Sequence, residues 1–553
     1  MKMSKTKSKL DIWSLFTILI FLFYVVLLVF PLFTLLVKSV INTDTNGFSL
    51  AYFQKFFSKS YYYSALFNSL KVTVSVTLLC VLVATPLAYI MTTVKIKYKG
   101  LIQILILISS MQAPFIGAYS WILLMGRSGA VTKFLKNIFN ITAPDIYGFA
   151  GILLVLTLQL TPLIYMYVCG ALKKVDNSLL EASESMGCTG VRKMLKVLMP
   201  LIMPTILAGS LLVFMRALAD FGTPLLIGEG YQTVPVLIFN EFISEMGGDD
   251  GFAAAISVIV IIFATALFLL QKYVSNRKSF TMSALNPIKA KKVKGVKNIL
   301  AHAYVYIFTF LALLPQLTVI YTSFLNTSGR LFTEGYSLES YKTAITKVGS
   351  SIKNTFVLAI IALVIIVVLA VIIAYITVRR RNSMTNLIDI LTMFPYIVPG
   401  SILGISLLVC FNKKPLLLSG TALIMILSFS IRRLPYTIRS SAAIIHQIGI
   451  NTEEAAISLG ASNLKTFRKI TLPLMLPGVI SGAILSWITI ITELSTSIIL
   501  YTARTKTMTI AIYTEVIRGN YGVAGALATI LLIVTVISLL IFFKVSGQKE
   551  VTM

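Results

Sequence analysis

Asp220 and Glu493 are the side chains in this sequence with the most chemistry to offer. Each lies inside a long apolar stretch, within Arg216-Ala217-Leu218-Ala219-Asp220-Phe221-Gly222-Thr223 and Thr492-Glu493-Leu494-Ser495-Thr496 respectively, and they stand 273 residues apart. A carboxylate in such surroundings is costly and is ordinarily paired or functional. Two of them at matching positions suggest a site for a cation, in the outer half of a path. Arg216 precedes Asp220 by one helical turn and is within pairing reach. The corresponding position before Glu493 is Thr489, so Glu493 lacks that local partner and is expected to face water in a central cavity or to be protonated. Asp389 is expected to pair with a neighbouring arginine such as Arg380, and Arg432-Arg433 to snorkel toward a surface. Metal chemistry has little to work with: four cysteines (Cys80, Cys169, Cys188, Cys410) and two histidines (His302, His446), without ligand spacing.

A second pairing is more regular. Glu181-Ala182-Ser183 is followed by Gly187, Val197, Met199 and Pro200, while Glu454-Ala455-Ala456 is followed by Gly460, Ile470, Leu472 and Pro473, again at an offset of 273. Both copies lie in polar, basic loops between apolar segments. The spacing of residues 172–186 and 443–459 predicts a short helix in each loop, with Ala182, Ser183, Ala455 and Ala456 small enough to fit closely into a partner's cleft. Gly187 and Gly460 should end those helices in a left-handed conformation. Pro200 and Pro473 mark the return to apolar sequence.

The elements that hold these residues follow from composition. The chain is 57% hydrophobic and 12% charged, with mean hydropathy +0.89, which excludes an ordinary soluble domain. Twelve runs are long enough to cross about 30 Å of hydrocarbon: 12–37, 65–93, 102–126, 149–171, 203–228, 252–271, 300–325, 355–378, 385–411, 416–438, 474–500 and 522–543. The first follows Lys2, Lys5, Lys7 and Lys9, has no small-residue cleavage site and is expected to be retained. The repeat extends beyond the loops: Asn68-Ser69 matches Asn354-Thr355 and Ala88-Tyr89 matches Ala374-Tyr375 at 286, while Pro162 and Pro435 match at 273. The change of offset places an insertion in the loop at 127–148, which shrinks to 412–415 in the second half. Six spans per half is an even number, so the halves run in parallel. The expected fold is therefore an all-α integral membrane protein of about twelve transmembrane helices in two parallel six-helix repeats. Residues 1–275 form the first half and 299–553 the second, joined by a basic linker at 276–298.

Charge sets the orientation. The net charge is +28, yet eight Lys and Arg fall in 272–297 and none in 229–251, where Glu229, Glu241, Glu245, Asp249 and Asp250 lie. This asymmetry predicts cytoplasmic docking loops, linker and termini, and an external acidic loop. The basic faces would meet anionic headgroups, and no polar domain exists to bind nucleic acid.

The two loops, 172–200 and 439–473, resemble the EAA–G–I-LP signature of the permease subunits of ABC importers, with mild departures at Ser183, Val197 and Met199. The resemblance implies two permease halves fused in one chain of a bacterial cytoplasmic membrane. It also implies two copies of a separate ATPase that dock at the loops, and an extracytoplasmic solute-binding protein. The chain has no G-x-x-x-x-G-K-[ST] phosphate loop, so ATP and Mg would be bound by the ATPase, and no cofactor or catalytic residue by this chain. Within the family the sequence looks most like ferric-iron permeases, on Leu434-Pro435-Tyr436-Thr437-Ile438-Arg439-Ser440, Ala219-Asp220-Phe221-Gly222-Thr223 and Glu493-Leu494-Ser495. Relatives in that larger family import 2-aminoethylphosphonate, polyamines, thiamine, sulfate or hexose phosphate, and these stretches do not cleanly separate them. A twelve-span carrier driven by an ion gradient fits the span count and the parallel halves, but leaves the paired loops without a purpose.

Overall fold

The computed structural model describes residues 11–41, 47–141, 145–243, 249–276, 286–288, 290–328 and 331–546. Lys2, Lys5, Lys7, Lys9, Glu245 and residues 277–285 of the linker lie outside them. Helices dominate, and one two-stranded antiparallel hairpin, Leu325–Ser328 with Leu331–Tyr336, is the exception among the described residues. Nine of the described helices are long and apolar enough to span a membrane. Two further pairs, Lys99–Ser110 with Phe115–Phe139 and Ser383–Ile397 with Gly400–Cys410, bend by 98° and 110° and bring the number to eleven if each is one span. The helix Ala422–Gln447 is as long as Phe149–Lys174, at 26 residues each, but carries Arg432, Arg433 and Arg439.

Element boundaries repeat at the offsets seen in the sequence. Phe149–Lys174, Asn177–Ser185, Gly190–Lys193, Met194–Leu198 and Met199–Leu218 recur as Ala422–Gln447, Ile450–Ser458, Asn463–Thr466, Phe467–Thr471 and Leu472–Ile491, all shifted by 273. The segments Met194–Leu198 and Phe467–Thr471 are both π-helical, a wider turn that marks functional positions more often than chance. Pro200 and Pro473 each follow directly on these π-helical turns, as the second residue of Met199–Leu218 and Leu472–Ile491, where a residue without an N–H interrupts the regular helical bonding. Asn382 and Thr385 form a reciprocal cap at the start of Ser383–Ile397. The insertion at 127–148 holds a helix of its own, Ala130–Phe139, none of whose residues is buried.

The chain packs as two compact units that do not divide at the linker. One contains residues 1–49, 348–510 and 537–547; the other contains 50–347 and 511–536, with the last six residues. In the first unit, the opening helical stretch 12–40 packs on Ser383–Ile397 and Gly400–Cys410. Its Trp13 is buried against Tyr375 and Phe467, with ring centroids 4.5 and 5.0 Å away. In the second unit, Val296–Ser323 packs on Lys99–Ser110, Pro114–Met125 and Ser60–Thr93, and Tyr304 Oη donates to the Val83 carbonyl at 2.9 Å. The opening helix of each sequence half is thus packed with the body of the other half.

Candidate functional site

The two short loop helices are Asn177–Ser185 and Ile450–Ser458, and they end in the same way. Gly187 and Gly460 have φ of +78° and +86°. Around them the Cys188 N–H donates to the Ser183 carbonyl and the Gly187 N–H to Glu184. In the second copy Ala461 donates to Ala456 and Gly460 to Ile457. These are the two bonds of a Schellman stop, which a left-handed glycine allows without steric cost.

One face of each helix is held by the chain and the other is free. Glu181, Ala182, Glu454 and Ala455 are exposed, whereas Ser183 and Ala456 are buried against their own unit. Only half of the expected small residues therefore remain for a partner. Glu181 accepts from Asn177 Nδ2 at 2.6 Å. Lys193 pairs with Glu184 and holds its carboxyl below the usual range. Immediately before each glycine a large apolar residue points outward: Met186 is 80% exposed and Leu459 90%. Sequence reasoning missed this matched pair, although both occupy the same place relative to Gly187 and Gly460.

The second loop also carries an anchor that sequence reasoning missed. Glu453, next to the motif's Glu454, is buried. It accepts from Arg379 Nε at 3.0 Å and from Tyr375 Oη at 3.4 Å, while Arg379 Nη2 donates to the Ile448 carbonyl at 2.7 Å. The counterpart of Glu453 in the first loop is Leu180, buried in an apolar setting. The first loop starts instead at Asp176, whose Oδ1 accepts from the N–H and hydroxyl of Ser178 at 2.9 and 2.7 Å.

The carboxylates of the apolar stretches turn out to be helix caps. Asp220 lies just past the end of Met199–Leu218, so it does not continue the helical spacing from Arg216. Its Oδ1 accepts from the Thr223 amide at 2.9 Å, at the start of Gly222–Ile227. Glu493 occupies the equivalent turn: Oε1 accepts from the Thr496 amide and Oε2 from the Ser497 amide, both at 3.0 Å, ahead of Ser497–Leu500. Anionic caps suit these N-termini.

Glu493 is not short of partners, contrary to the sequence expectation. Arg432 Nη1 donates to its Oε1 at 2.8 Å, and the Ser495 and Ser497 hydroxyls donate at 3.1 and 2.7 Å. Its side chain is 1% exposed. Arg432-Arg433 does not snorkel: both side chains are largely buried, and Arg433 Nη2 lies 4.0 Å from the same carboxylate. Gly400 makes room for this, because a Cβ there would sit 1.6 Å from Arg432 Nη1. Asp389 pairs with Arg439 at 2.9 Å rather than with Arg380, because Ala422–Gln447, which carries Arg439, packs against Ser383–Ile397. His302 sits between the Lys97 amide and the Asn298 carbonyl, at 3.4 and 2.9 Å. No group of three or more His, Cys, Asp and Glu is placed to hold a metal among the described residues.

Comparison with known proteins covers most of the chain. The model of the family "Binding-protein-dependent transport system inner membrane component" matches residues 5–280 and again 366–549. A ferric transport system permease protein of Actinobacillus pleuropneumoniae is 30% identical over 488 residues, 84% of this chain and 69% of that protein. A putative ferric transport system permease protein of Haemophilus influenzae is 28% identical over 506 residues, covering 90% and 79%. A putative 2-aminoethylphosphonate transport system permease protein of Salmonella typhimurium is 24% identical over 275 residues, 49% of this chain but 96% of that protein.

Proposed function

The chain belongs to the binding-protein-dependent transport system inner membrane component family, and on that premise we propose that it is the fused, two-half permease of an ATP-driven importer of ferric iron. The observation that carries the importer reading is the pair of docking helices. Both end on the same glycine stop, and both present a Glu-Ala face with their most exposed apolar side chain, Met186 or Leu459, immediately before that stop. Each offers a separate ATPase a small apolar knob to bury, with a rigid base behind it. Two such helices call for two ATPase subunits, which close on ATP and push the loops. A solute-binding protein would deliver cargo at the opposite face, near the acidic segment 229–251.

Support for the cargo comes from two relatives that match over 84% and 90% of this chain, both named for ferric iron. Within this reading the docking loops, both termini and the linker are cytoplasmic. Asp220 and Glu493 serve the path indirectly, by fixing the turn between a spanning helix and the short helix after it. Iron is cargo here, passed along rather than held. Uptake of radiolabelled ferric iron by cells deleted for this gene, with and without a plasmid copy, tests the assignment. Restored iron uptake is expected. Restored uptake of 2-aminoethylphosphonate with none of iron would transfer the permease to the other cargo.

A further inference from the structure

We propose that the segment joining the two sequence halves is a brace for the first docking helix, and not merely a tether; the consequence for transport rests on the docking reading above. Three pieces of chain, distant in sequence, meet in one unit at the end of Ser60–Thr93. The Lys291 N–H donates to the Thr93 carbonyl at 2.8 Å, and the Lys95 N–H donates to the Lys291 carbonyl at 3.1 Å. Five residues earlier, the Asn286 N–H donates to Asp176 Oδ2 at 3.1 Å, and the Asn177 N–H donates to the Asn286 carbonyl at 2.8 Å. Isolated β-bridges, Val94 with Lys291 and Asp176 with Pro287, confirm the pairing.

Asp176 therefore has two duties, one oxygen for each. Oδ1 caps the docking helix and Oδ2 holds the linker. Asn177, the first residue of that helix, gives its amide to the linker as well. A helix start leaves such amides without an intrahelical partner, and here the linker backbone supplies the acceptor. Lys291 also lies near enough to Glu184, in the helix's last turn, to add to the depression of its carboxyl that Lys193 chiefly causes.

The second half reaches the same end by other means. The counterpart of Thr93 at offset 286 is Arg379, whose side chain holds Glu453 and the Ile448 carbonyl. At equivalent positions one half thus uses an ion pair and the other uses backbone bonds to the linker. At the first docking helix the linker backbone stands in the place that the Arg379 side chain has in the second half. A brace of this kind transmits a push on the helix into the spanning helix Ser60–Thr93, where an untied loop would absorb it.

The test is hydrogen exchange by mass spectrometry on the full chain in nanodiscs. Lys291→Pro deletes the N–H bonded to Thr93, and Lys291→Ala keeps it. We expect peptides covering 94–97 and 177–185 to exchange about tenfold faster in Lys291→Pro, the effect of losing one or two backbone hydrogen bonds. The helix 450–458 and the Lys291→Ala protein should match wild type. Asn286→Pro, which removes the bond to Asp176 without touching the helix cap, should repeat the result if Lys291→Pro does not accumulate. A protease site inserted after Met282 and then cut should leave exchange unchanged, because the bracing residues stay in place. Unchanged exchange at 177–185 in the proline variants, equal acceleration at 450–458, or acceleration by the cut alone would each overturn the brace. With the partner ATPase, transport per ATP hydrolysed should fall severalfold in Lys291→Pro; a wild-type ratio would overturn the link to transport while leaving the permease reading untouched.

Discussion

A carboxylate sealed from solvent and met by five donors cannot release one of them cheaply, and that governs what substitution of Glu493 or Arg432 will do. Arg432→Gln strands Glu493 in a site where its side chain is 1% exposed. Removing one member of a buried pair costs roughly 3–5 kcal/mol, so the variant should unfold at clearly lower temperature in detergent. Combining it with Glu493→Gln should recover much of the loss. Equal thermal stability of Arg432→Gln and wild type would show that the pair is not what holds Ser497–Leu500 in place. Sequence alone marked Asp220 and Glu493 as unusual, because charge within apolar sequence is conspicuous. It could not supply the partner: Arg432 is 61 residues from Glu493, and only the packing of Ala422–Gln447 on Leu472–Ile491 brings them together. The adjacent Arg432-Arg433 looked like a surface feature for the same reason. Capping was the missed signal, since Asp220 and Glu493 each stand three residues before a threonine that opens a short helix.

Among elements, the docking helices make the most exposed predictions. Leu459→Asp should weaken co-elution with the ATPase by about tenfold or more, because burying a Leu or Met side chain contributes roughly 1.5–3 kcal/mol. Met186→Asp should act in the same direction at the first loop. Both proteins should insert and unfold like wild type, since these side chains touch little of their own chain. Undiminished co-elution of both variants would remove these residues from the interface. At Gly460 the constraint is conformational: with φ at +86°, Gly460→Ala costs about 1–2 kcal/mol and should fray Ile450–Ser458, visible as faster amide exchange there. The helices, their glycine ends and the prolines after them were legible because local rules fix them. Which of the small residues would face outward was not, since Ser183 and Ala456 are turned inward by packing that no local pattern records.

For the whole molecule, topology and packing can be probed separately. A single cysteine at Asp249 should react with an impermeant thiol reagent on intact cells, and one at Asn451 should not; the reverse would invert the orientation. Trp13→Ala opens the contact with Tyr375 and Phe467, a change of about 3–5 kcal/mol for a buried Trp. Amide exchange in Ile450–Ser458 should therefore speed up severalfold, with Asn177–Ser185 unaffected. If both loops respond alike, Trp13 supports the fold generally and not the second loop. The repeat and its change of offset were readable because matched prolines and glycines survive in both halves. The exchange of opening helices was hidden, because an apolar run declares that it must be buried or lipid-facing and says nothing of which neighbour it will choose.

That exchange sets a timetable for synthesis. The stretch 12–40 leaves the ribosome early, but the helices it packs against lie between residues 348 and 510. At roughly 5–20 residues per second, about 15–60 s pass before the first of them exists. For that interval Trp13 and its neighbours must wait in lipid, held by an insertase or by provisional contacts. Val296–Ser323 has no such delay, because its neighbours are already made. Residues 50–347 of the second unit can therefore pack together while the first is still being written, with 511–536 joining them near the end, and a ribosome that stalls before residue 348 leaves behind a membrane protein with one orphaned helix, a defined target for quality-control proteolysis.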